Sequence, residues 1–204
     1  MNDLHQALSQ ISQIHDHLVR TEIYRGLRSI PIAMVGGIAF AAAIFEEAYP
    51  EQSPQEFVFF WSVVAVVCFG VAISGGVILL TRPSLPFQRT QTLRILRQFL
   101  PCLLVGLTVT LAFWKAGEDT FAYLPGLWSL IFCLGSFATT PYLPSGIGWI
   151  ALGYLIAGIV LLQLAPSGAS LSPWAMGITF GGGHFATAAV LYWSLERREN
   201  HESR

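Results

Sequence analysis

Residues 120–195 read TFAYLPGLWSLIFCLGSFATTPYLPSGIGWIALGYLIAGIVLLQLAPSGASLSPWAMGITFGGGHFATAAVLYWSL, and from Thr120 to Leu195 there is no Asp, Glu, Lys or Arg. An uncharged run of this length has no place on the surface of a soluble domain and belongs in a bilayer. Two clusters of turn residues punctuate it, TTPYLPSG at 139–146 and PSGASLSP at 166–173. Pro, Gly and Ser in such density mark loops. The run therefore divides into three apolar segments, Phe121 to Ala138, Ile147 to Ala165 and Trp174 to Ser194. Each is long enough for a hydrocarbon core of about 30 Å.

Three more segments lie upstream. The first runs from Ser29 to Phe45, with Pro31 in its first turn and Ala33, Gly37 and Ala41 four apart as a smooth face for a neighbouring helix. Glu46, Glu47, Glu51 and Glu56, with Pro50 and Pro54, read as an acidic loop. The second segment is Phe57 to Thr81 and opens on an aromatic group of the interface type. The third is Gln98 to Trp114, its helix expected to start before the membrane near Thr90 and to carry Pro101 inside it. Ahead of all six, Leu4, Leu8, Ile11 and Leu18 repeat at helical spacing against a polar face. The expected fold is all-α: an amphipathic N-terminal helix (1–28), a six-helix transmembrane bundle (29–195) and a polar tail (196–204).

Composition agrees. The chain is 53% hydrophobic and 11% charged, whereas soluble domains are about 25% charged. The placement of charge also sets an orientation. Ten of the eleven basic residues fall in three groups: Arg20, Arg25 and Arg28; Arg82, Arg89, Arg94 and Arg97; Arg197, Arg198 and Arg204. Six crossings put all three groups on one side and only Lys115 on the other. Basic residues favour the cytoplasmic side, so both termini are expected in the cytoplasm of a bacterial inner membrane. The three cysteines, Cys68, Cys102 and Cys133, sit in apolar runs at no metal or redox spacing.

One residue in the apolar body invites a specific reading. His184 follows Phe180-Gly-Gly-Gly and is the only histidine in the six segments. It stands about eleven residues from either end of its segment, roughly 16 Å, near the midplane. Regular helical spacing puts Gly177, Gly181, His184 and Ala188 on one face, and a face of small residues packs against helices. An ionisable residue at that depth is a candidate for ligand or proton handling, together with Gly177 and Gly181. The plainer reading is a neutral imidazole bonded to a hydroxyl or a carbonyl of a neighbouring segment, the possible hydroxyls being Ser74, Thr108, Thr110, Ser129 and Tyr154. No catalytic group, metal site or cofactor is expected. Haem would need a second axial ligand, and Met34 and Met176 are the only methionines available in the spans. His15 and His17, two apart, point to different sides of a helix. The glycine run follows no strand and is no phosphate cradle. Pro31-Ile-Ala-Met-Val-Gly-Gly37 and Pro173-Trp-Ala-Met-Gly177 share a pattern, but the three-plus-three repeats of transporters pair the first segment with the fourth, not the sixth.

Trp174-Ala175-Met176-Gly177, then His184, Tyr192 and Arg197-Arg198, resemble the C-terminal span of a family of uncharacterised bacterial membrane proteins with six predicted spans. The polar helix over Ile14 to Ser29 and the arginine-rich start of the third segment at Arg94-Ile95-Leu96-Arg97 are similar to the same family. The resemblance implies architecture and carries no activity. The expected function is a non-enzymatic sensory or assembly component. Its partners would be the lipid bilayer and a protein, or a second copy, met through the N-terminal helix; no nucleic acid is expected. The alternative is a small-molecule or ion carrier or channel with its site around His184. An enzyme acting on lipid is the third and weakest reading.

Overall fold

The computed structural model describes the backbone of residues 29–49, 53–81 and 86–196, and side chains over 29–49, 53–74, 93 and 95–194. The amphipathic N-terminal helix and the polar tail beyond residue 196 lie outside the described residues. Within them the chain is helical and has no strand. The helices are α1 (Ser29–Ala48), α2 (Pro54–Thr81), α3 (Pro86–Ala116), α4 (Leu124–Thr139) and α5 (Gly146–Leu164). A C-terminal stretch follows as α6 (Pro173–Met176), a π-helical segment Gly177–Gly182, α7 (Gly183–Leu191) and a second π-helical segment Tyr192–Glu196. Among the described residues five helical segments are long and apolar enough to cross a membrane: Ser29–Ala48, Pro54–Ser74, Ile95–Ala116, Glu118–Tyr142 and Gly146–Ser167. The described part of the chain is thus all-helical, with the apolar segments of a membrane protein. The sixth expected segment is helical as well, but π-helical turns divide it.

Local chemistry sets the helix ends. α2 starts with a capping box that Ser53-Pro-Gln-Glu56 encodes. The Glu56 backbone N–H donates to Ser53 Oγ and the Ser53 N–H donates to the Glu56 carboxylate, both at 3.2 Å. Pro54 takes the first helical position, where no N–H is missed. Gly117 turns the chain out of α3 at φ 111°, a region that favours glycine. The two turn clusters become short 3₁₀ turns, Thr140–Tyr142 and Ala165–Ser167, each holding a proline near its start.

Three expectations shift. α1 runs on to Ala48, so Glu46 is no loop residue: it sits in the last turn, 2% exposed. Nothing in Phe45-Glu-Glu-Ala48 breaks a helix, and the stop comes only ahead of Pro50. α3 starts at Pro86 rather than near Thr90, because proline is a good first residue and no breaker follows before Pro101. The packed face of α1 is Val35, Gly36, Ala39 and Ala43; Ala33 and Gly37 are half-buried and Ala41 is exposed. Alanine and glycine recur so densely from 33 to 43 that several faces of this helix are equally smooth, and the partner selects one.

The helices are neighbours in the order α2, α1, C-terminal stretch, α5, α4, α3. α4 and α5 form the most extensive contact, and α2 and α3 meet little despite being consecutive. The core lies mainly where α1 ends and α2 and α4 begin. There Ala42, Ala43, Phe57, Val58, Trp61, Phe121, Leu124 and Met176 cluster. Trp61 Nε1–H donates to Glu46 Oε2 at 2.6 Å inside this cluster, giving the carboxyl a partner where water is excluded. At the other end Leu143 and Ile147 pack with Ile95, Ile150 and Val190.

Candidate functional site

The C-terminal stretch is fixed on two sides, and glycines make both approaches possible. On the α1 side the helices run antiparallel at close range. A Cβ added to Gly177 would lie 2.6 Å from Ala43 Cβ, and one added to Gly181 would lie 2.6 Å from the Phe40 ring. Phe40 and Phe185 stack beside this seam with centroids 5.7 Å apart. The two helices that carry the Pro-x-Ala-Met pattern therefore meet along this seam, but in antiparallel sense, Gly177 against Ala43 and Gly181 against Gly36. On the α5 side, the Tyr154 hydroxyl rests on the Gly183 backbone so closely that any Cβ there would overlap it.

His184 belongs to the second side. Its ring packs on Phe132 of α4 with centroids 5.3 Å apart. Phe132 also touches Tyr154 and Phe180, at 4.9 and 5.8 Å between centroids. Nδ1 lies 2.6 Å from the Phe180 carbonyl oxygen and 3.4 Å from Tyr154 Oη. A carbonyl only accepts, so Nδ1 carries a proton and donates it to Phe180 O. The Tyr154 hydroxyl is left the longer, weaker share of that proton. Among the described residues no protein group bonds to Nε2.

The expected common face of Gly177, Gly181 and His184 is thus split. The glycines serve the seam with α1, and His184 turns to Phe132 and Tyr154. The cause is the π-helical segment Gly177–Gly182. Its wider turns rotate the downstream residues away from the positions that 3.6-residue spacing assigns. Tyr154 was among the hydroxyls expected to meet the imidazole. Ser129 instead donates to the Tyr154 backbone carbonyl at 3.0 Å, and Thr110 receives the Trp128 indole N–H at 2.9 Å. Gly183, Phe132 and the carbonyl of Phe180 were not expected at the site. The triple glycine was the signal for Gly183. No sequence signal singles out Phe132 among so many aromatics.

The arrangement can orient an imidazole and offer Nε2 as an acceptor. It assembles no nucleophile with a base, and among the described residues no three His, Cys, Asp or Glu side chains gather as a metal site. No protein-family model, no curated protein and no solved structure matches the chain.

Proposed function

We propose that this protein is a six-span component of a bacterial inner membrane, with both termini cytoplasmic, that works by assembly or sensing rather than by chemistry of its own. Residues 173–196 supply the sixth crossing. The uncharacterised six-span family that the sequence resembles is its proposed home, and the N-terminal helix is its proposed contact with a protein partner or a second copy. One observation carries the reading. The only histidine of the apolar body gives its Nδ1–H to a carbonyl of its own helix and is packed against Phe132, beside Tyr154 and Phe180. That is the environment of a packing residue joining the C-terminal stretch to α4 and α5, and it supports a bundle built to be stable in one arrangement.

The test compares three forms, wild type, His184→Gln and His184→Leu, by thermal unfolding in detergent and by rescue of any phenotype of a deletion strain. A packing role predicts that His184→Gln, which can both donate and accept, is folded and functional. His184→Leu should then lose on the order of 1 kcal/mol, in line with the modest worth of polar contacts between spans. Folded protein without function in both variants would instead assign the residue to a carrier or channel site.

A further inference from the structure

α3 is the helix that commits least of itself to the bundle, and one end of it is basic. It is continuous from Pro86 to Ala116, while its apolar part is Ile95–Ala116. Those 22 residues cover about 33 Å, slightly more than a hydrocarbon core of about 30 Å. Arg97 therefore sits in the first turn of the span, about 3 Å inside the boundary. It is exposed, and among the described residues its guanidinium has no hydrogen-bond or ion-pair partner. Arg94 lies three positions earlier, a neighbouring place on the same helical side, at the level of the boundary itself. Arg89 continues the basic run on the part of α3 that projects beyond the apolar segment.

The surface next to Arg97 is apolar. Leu100, Leu104, Leu107 and Leu111 descend along α3 at 41, 55, 57 and 57% exposure, and no residue of the most apolar window of this helix is buried. A guanidinium at headgroup depth above an open stripe of leucines matches a molecule with an anionic head and an acyl tail. A long arginine stem reaches outward to the phosphate level while its methylenes stay in hydrocarbon. Arginine pairs with phosphate through a planar fork of donors. We propose that the basic end of α3 is a binding site for an anionic glycerophospholipid, with the phosphate at Arg97, the charge of Arg94 one turn earlier adding to the basic end, and one acyl chain lying along Leu100, Leu104 and Leu107.

The purified full chain is reconstituted in vesicles of equimolar phosphatidylglycerol and phosphatidylcholine and re-extracted, and retained lipid is quantified by mass spectrometry. The wild type should retain phosphatidylglycerol over phosphatidylcholine. Each arginine near a membrane surface is worth about fivefold, so Arg94→Gln with Arg97→Gln should reduce the preference by up to about 30-fold. Arg197→Gln with Arg198→Gln should leave it in place. Equal retention of both lipids by the wild type overturns the proposal without any variant. So does a preference that survives in the Arg94/Arg97 variant, or one lost equally in the tail variant, since that would be a general effect of positive charge. Inorganic phosphate added at millimolar concentration should not displace the lipid; displacement would assign the site to free phosphate.

Discussion

The seam between α1 and the C-terminal stretch and the outer surface of α3 are both apolar, yet they behave oppositely. At the seam Gly36, Gly177 and Gly181 let backbones approach until an added methyl would collide. On α3 every residue of the most apolar window keeps some exposure, and leucines stand outward along its length. Hydrophobicity cannot be the difference, because lipid tails are as apolar as leucine and give helices no reason to prefer one another. What separates the two is whether side chains are small enough for close packing. α3 is held along one edge, by Phe99 against Phe132 and Gly135 of α4 and by the Trp128–Thr110 hydrogen bond. The rest of its surface is left to lipid.

The contrast breaks most sharply at Gly181. Gly181→Leu drives a side chain into Phe40 and the α1 backbone, and should destabilise the protein by about 3 kcal/mol, at the upper end of overpacking costs. Gly182→Leu, one residue on, meets open space in the structure and should leave thermal unfolding in detergent nearly unchanged. Similar losses at both positions would mean that the seam is not where the packing lies. A comparably small effect is expected on α3: Leu107→Ala, at a position 57% exposed, should shift stability by less than about 0.5 kcal/mol. A loss of 2 kcal/mol or more there would reveal a protein surface covering α3.

Much of the fold was legible because charge and proline mark boundaries that a bilayer enforces. The uncharged run, the turn clusters at 139–146 and 166–173, and the end of α2 at Thr81 follow from such residues. The capping box at Ser53 and Glu56 is equally legible by its spacing, though Glu56 also fits an acidic loop with Glu46, Glu47 and Glu51. The π-helical turns were not legible. They change the angular step of the helix through backbone hydrogen bonding, and no side chain announces the change. Every inference about which residues share a face with His184 inherited that error. The burial of Glu46 was hidden for a related reason: its partner Trp61 lies 15 residues away on the next helix, and only the packed end of the bundle brings them together.

The central claim is six crossings with both termini on the cytoplasmic side, and reporter fusions measure it directly. An enzyme active only in the periplasm is inserted between Ala48 and Pro54 in one fusion and placed after Arg204 in another. The account predicts activity from the inserted reporter and none from the C-terminal one. Activity at both positions would leave an odd number of crossings and remove residues 173–196 as a span; activity only after Arg204 would reverse the orientation.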